Sequence, residues 1–223
     1  MTQSHQLGEV VWTNTTGNTY TMVVPKITKT NITMVTNAVK VDSIFGGAKN
    51  AFITNADANA NGTSITVDGG TAFAVFGGNN FGGNQTAGKH HIEVNNTKSN
   101  STAYPAGLGR NYGIGYVFGG GNKVEGLTTD ITISGGMCDT VFAGGNAADV
   151  DDALVVIDCP RTKTFTEAVS SWSEDGNITV INNSYLWNGT GLYNVRALFG
   201  GNNRANMAGL PTITLTRGSV GTV

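Results

Sequence analysis

Charge is scarce in this chain. Over 223 residues, Lys, Arg, Asp and Glu make up 13% and sum to a net −2, where an ordinary soluble domain carries about 25% charged residues. No basic run or arginine stripe occurs, which removes the electrostatic footprint of nucleic-acid binding and of polybasic membrane attachment. Long apolar runs are missing too, and no window approaches the ~18 residues that a membrane helix requires. Cysteine is limited to Cys138 and Cys159, too few for a disulfide framework in a chain of this length. Without a CxxC or a nearby histidine they make no zinc site either. Buried free thiols are the expected state and a single bridge the alternative. The opening Met1 to Glu9 has neither the basic nor the apolar region of a secretory signal, so the expectation is a removed signal or another route of exit.

Glycine, asparagine and threonine are what the chain has in quantity. Glycine alone supplies 32 residues, about twice the usual ~7%. Gly and Asn tolerate the positive φ of tight turns and Thr favours strands, so this composition predicts short strands joined by sharp corners. A 39% hydrophobic content, placed periodically, argues against disorder.

Two elements recur. The first is an apolar, polar, apolar triplet beginning at Ile32, Ile65, Ile92, Ile131, Val155, Ile178 and Ile213. The second is an apolar pair running into glycines: Ile44-Phe45-Gly46-Gly47, Val75-Phe76-Gly77-Gly78-Asn79, Val117-Phe118-Gly119-Gly120-Gly121-Asn122, Val141-Phe142-Ala143-Gly144-Gly145-Asn146 and Leu198-Phe199-Gly200-Gly201-Asn202. Ile65 to Phe76 and Ile131 to Phe142 are both eleven positions apart, and Phe118 and Phe142 are 24 apart. A repeat near 24 with variable loop insertions predicts an all-β, right-handed parallel β-helix (solenoid) of about 24-residue rungs. Strands of three to five residues would lie ~4.8 Å from their counterparts, Ile on Ile and Phe on Phe inside, with the recurring Asn forming an amide ladder. An antiparallel sandwich with Gly-rich hairpins is the alternative.

The first thirty residues do not share the pattern. Val10 to Trp12 and Tyr20 to Val24, separated by Thr13 to Asn18, read as a hairpin, so residues 1–31 are expected to cap the coil and 32–223 to form it. The next Phe-Gly-Gly is due just beyond Val223, which leads to the expectation of a longer chain or a partner subunit along the axis, hence an oligomer.

Val117 to Asn146 resembles the Gly-rich, VFGGGN-like β-solenoid repeats of large bacterial surface or adhesin-like proteins, and is similar in architecture to the β-helices of phage fibres and tail spikes. The resemblance covers roughly residues 32 to 223. It implies an extended structural or adhesive part, extracellular, on a virion or bacterial cell surface.

Few motifs carry chemistry. Asp57-Ala58-Asn59-Ala60-Asn61-Gly62, with Asp68 in the twelfth position, has the oxygen spacing of a calcium loop, but only two of those residues are carboxylates. Asp57, Asn59, Asn61 and Asp68 are therefore a weak calcium set, and no other cofactor is expected. Gly83 to Lys89 has P-loop spacing, but His90 stands where a magnesium-binding Ser or Thr belongs and strand residues follow. His90 and His91 are expected at the surface, on opposite sides of an extended chain. Asp149, Asp151 and Asp152, and Glu167, Glu174 and Asp175, are acidic clusters of the kind a polysaccharide-cutting coil uses, yet solvated loop charge explains them. No nucleophile elbow or Cys-His constellation occurs. Trp172, Tyr185 and Trp187 sit in predicted loops, where a glycan-binding surface would be placed. The sequence thus points to a non-enzymatic structural or adhesive segment whose partners are neighbouring subunits and host glycans. The alternatives are a polysaccharide lyase or hydrolase, and a non-catalytic glycan-binding module.

Overall fold

A computed structural model describes residues 2–6, 9–13, 16–23, 26–54, 60–83, 85–97, 113–159 and 194–223. Among them every regular element is a strand, and no helix is long and apolar enough to cross a membrane. β1 (Thr2–Gln6), β2 (Glu9–Thr13) and β3 (Thr19–Val23) form an antiparallel sheet in sequence order, one strand more than the expected hairpin. Gly17, at φ 83°, supplies the left-handed residue its turn needs.

From Lys26 onward every described strand pairing is parallel. The strands are β4 (Lys26–Ile27), β5 (Thr30–Met34), β6 (Lys40–Phe45), β7 (Phe52–Thr54), β8 (Asn61–Asp68), β9 (Thr71–Phe76), β10 (Gln85–Ala87), β11 (Lys89–Asn96) and β12 (Ile114–Phe118). They continue with β13 (Gly126–Ile133), β14 (Cys138–Phe142), β15 (Val150–Asp158), β16 (Val195–Phe199), β17 (Thr212–Arg217) and β18 (Val220–Thr222). One six-stranded sheet runs β5-β8-β11-β13-β15-β17 and a second runs β6-β9-β12-β14-β16-β18, while β4, β7 and β10 form a small third sheet. Parallel neighbours need a crossover, and here each crossover in one large sheet is a strand of the other. This alternation is consistent with a parallel β-helix.

The register is set by the triplets. Ile32, Ile65, Ile92, Ile131, Val155 and Ile213 pair in one column, and Met34, Val67, Val94, Ile133, Ile157 and Leu215 in the next. β15 pairs directly with β17, and the Ile178 triplet lies outside the described residues. β8, β11 and β13 of the first large sheet are longer than the expected three to five residues, because pairing extends N-terminally from the triplet through Thr63, His90 and Thr129.

The aliphatic columns of both sheets form one core, with Ile65, Val67, Ile92, Val117, Ile131, Val141 and Leu198 fully buried. The Phe column is stacked as expected: Phe45, Phe76, Phe118, Phe142 and Phe199 lie nearly parallel at 4.7, 4.8, 5.1 and 5.0 Å between ring centroids. It is not part of the inner core, however. Adjacent strand residues project to opposite faces, and the rings form a separate cluster with Ala74, Phe73 and Tyr116. The central strands of the second large sheet are therefore buried on both faces, as in β14, while β11 of the first alternates buried and half-buried.

Candidate functional site

The first large sheet turns a polar face outward. Thr33, Thr66, Glu93, Thr132, Val156 and Thr214 share one outward column. Beside it, His91 lies 3.6 Å from Asp130, close enough for its ring to hold the Asp130 carboxyl below the usual range. Further along, Asn95 donates to Asp68 at 2.8 Å and Ser134 donates to Asn95 at 2.5 Å. Arg217 binds Asp158 through two nitrogens, and this hydrogen bonding lowers the Asp158 pKa. These contacts join neighbouring repeats.

The glycine-rich corner after each Phe carries the amide ladder. Asn122 donates to Asn80 at 2.9 Å, Asn146 to Asn122 at 2.7 Å and Asn203 to Asn146 at 2.8 Å. Its members stand four residues after Phe76, Phe118, Phe142 and Phe199. The Asn three residues after the Phe does different work. Asn79 accepts from the Ala48 amide at 2.6 Å and donates to the Ala51 carbonyl at 2.5 Å, and Asn202 accepts from the Gly145 amide. A Cβ at Gly47 or Gly144 would collide with these oxygens, so the preceding repeat keeps glycine there. Phe81 is exposed beside the ladder, with the Lys123 ammonium 5.1 Å from its ring centroid.

His90 and Asp139 are among the polar side chains buried between repeats. His90 is buried, not at the surface as its sequence context implied, because it occupies the column of Thr30, Thr63 and Thr129. Those threonines donate to carbonyls just past the Phe: Thr30 to Gly46, Thr63 to Gly77 at 2.6 Å and Thr129 to Ala143 at 2.5 Å. Since Thr63 spends its proton on Gly77, the 2.9 Å contact to His90 Nδ1 has the imidazole as donor. Burial lowers the His90 pKa to about 4, so the ring is neutral. Asp139 is also buried and is bound by Arg196 through Nε and, at 2.8 Å, through Nη2, which lies 3.1 Å from Thr140 as well.

Those of the residues singled out in the sequence that the structure describes do not converge. Asn61 begins β8, and Asp68 ends it, accepting the Asn95 amide. Asp57 and Asn59 lie outside the described residues, as do Trp172, Tyr185, Trp187 and the acidic group Glu167, Glu174 and Asp175. Asp149 accepts the Asn206 backbone amide at 2.9 Å, and Asp151 and Asp152 open β15. In the P-loop-like stretch, Gln85–Ala87 form β10 and Lys89 opens β11. Among the described residues no three His, Cys, Asp or Glu side chains group to hold a metal. Cys138 and Cys159 are free and buried; burial raises the pKa of both, that of Cys159 to about 12. Thus Asp68, Asp130, Asp139, Asp149 and Asp158 each meet a polar or basic group of another repeat. The chemistry of these carboxylates is cross-linking along the stack.

The corners also place the insertions. The link from a strand of the first large sheet to one of the second is short after β8 and β13, but after β11 and β15 it holds 98–112 and 160–193. Both insertions leave from equivalent corners. No protein-family model, no curated protein and no solved structure matches the chain.

Proposed function

We propose that this chain is a rigid structural and adhesive segment, a right-handed parallel β-helix whose role is to span distance and present surface, not to catalyse. One observation carries the reading: successive repeats repeat their chemistry in register, Ile over Ile, Phe over Phe and Asn over Asn. A chain that devotes its polar side chains to bonds along the stack gains stiffness with every repeat. The right hand follows from the near-universal handedness of crossovers between parallel strands of one sheet.

The adhesive part of the reading rests on the insertions. Both depart from equivalent corners of the stack, and the longer, 160–193, carries Trp172, Tyr185 and Trp187; aromatic side chains presented from a rigid scaffold suit glycan recognition. The place for such a segment is outside the cell, on a virion or bacterial surface, among neighbouring structural subunits. Purified protein incubated with a panel of bacterial and host polysaccharides should produce no new reducing or unsaturated ends. Cleavage of any of them would replace this reading with the glycan-cutting one.

A further inference from the structure

The corner after each Phe runs along the stack as a ridge two residues wide. Its first column is Lys49, Asn80, Asn122, Asn146 and Asn203, and its second is Asn50, Phe81, Lys123, Ala147 and Arg204. Backbone bonds hold the two in step: the amides of Phe81, Lys123, Ala147 and Arg204 donate to the carbonyls of Lys49, Asn80, Asn122 and Asn146, each one repeat earlier. All five members of the second column are exposed, Phe81 at 50%. Phe81 has repeats on both sides of it, so its exposure is not that of a chain end.

The ladder amides are only half used. Asn122 and Asn146 each donate one N–H to the repeat before and accept one from the repeat after. A primary amide has two N–H groups and two acceptor lone pairs, which leaves one of each on both residues for hydroxyl groups. The Phe81 ring beside them suits the apolar face of a pyranose. Charge narrows the choice. Lys49, Lys123 and Arg204 have no ion-pair partner among the described residues. They stand on alternate repeats, two strand spacings or about 10 Å apart along the stack, and an extended pyranose chain advances by a similar length over two rings. The flanking carboxylates are engaged, Asp149 with the Asn206 amide and Glu125 with a partner of its own. Asp149 shares its repeat with Ala147, so the repeat between Lys123 and Arg204 offers no cation and repels an anion. We infer that this ridge binds an acidic polysaccharide along the stack axis, with one carboxylate for every two sugar rings. Its carboxylates meet Lys123 and Arg204, its hydroxyls the Asn122 and Asn146 amides, and one ring lies on Phe81. This rests on the adhesive reading and places it on the coil itself, not on the insertions.

A hyaluronan hexasaccharide, in which a uronate alternates with a neutral amino sugar, is the probe, titrated calorimetrically into the full-length protein. It should bind, and added salt should weaken it. Lys123→Gln/Arg204→Gln should weaken it about tenfold or more, and Phe81→Ala by a similar factor, with circular dichroism unchanged. Lys29→Gln/Lys89→Gln, which removes the same charge away from the ridge, should leave affinity within about twofold. No binding, or equal losses in the two double variants, would overturn the ridge, and equal affinity for polygalacturonate, charged on every ring, would overturn the assigned spacing. If a glycan binds and only Trp172→Ala/Trp187→Ala abolishes it, the ridge fails while the adhesive reading stands. If no neutral or acidic glycan binds, both fail.

Discussion

His90 is where a single side chain has the most to say about stability. Held neutral in the fold with a pKa of about 4, it regains an ordinary value near 6.5 when the chain unfolds. Between those values the unfolded state binds the extra proton, so stability rises with pH across this window and is lost as pH falls from about 6.5 to about 4. The full difference is about 3 kcal/mol. Asp130 and Asp158, with lowered pKa values, lose their contributions only below their unfolded values near 4, so the window isolates the histidine. Urea titrations at pH 7 and 4.5 should show this slope in the native chain, and His90→Thr, which restores the residue found at Thr63 and Thr129, should remove most of it. An unchanged slope in the variant would assign the acid sensitivity elsewhere. The burial of His90 was not legible in the sequence, because its column emerges only once the triplets are aligned in space. The adjacent His91 made the pair look like surface polarity. Glycine offers a second test at this scale. Gly144→Ala drives a Cβ into Asn202 Oδ1 and should cost about 1–3 kcal/mol. Gly201→Ala meets nothing within 4 Å and should stay within about 0.5 kcal/mol. Equal effects in denaturant titrations would contradict the Asn202 contact.

At the scale of elements, the ring stack sets the second large sheet apart. Phe118 is buried between Phe76 and Phe142, so Phe118→Ala should cost about 3–5 kcal/mol. Phe199, open on one side, should cost less than half as much when truncated. A gradient in the opposite sense, measured by equilibrium unfolding, would place the rings elsewhere. The strands and their pairing were readable because like residues recur where they touch: Ile65, Ile92 and Ile131 announced the register that they occupy. The face was not readable, since a Val-Phe pair at a strand end is apolar on both sides and alternation gives no clue to which side is the core. The amide ladder was legible in kind and shifted in place. Doubled asparagines at Asn79-Asn80 and Asn202-Asn203 hid that the second of each pair joins the ladder while the first caps the preceding corner.

For the molecule as a whole, the account depends on the order of strands in space. Composition and spacing made an all-β chain of parallel pairings foreseeable. They did not foresee that Val155 pairs directly with Ile213, because spacing alone does not say which triplets are neighbours in a sheet. Of the suspected calcium set, Asp68 ends a strand whose neighbour supplies an amide to it, while Asp57 and Asn59 lie outside the described residues. The central claim is that Thr33 and Thr214 lie at opposite ends of one outward column, and electron-spin distance measurement tests it directly. Labels on Thr33→Cys/Thr214→Cys, diluted in excess unlabelled protein to silence contacts between copies, should report a separation centred near five strand spacings, about 24 Å. The native thiols Cys138 and Cys159, buried and with raised pKa values, should stay unlabelled. A sharp distance near one strand spacing, or one far beyond the predicted value, would contradict the stacked parallel order on which the structural role rests.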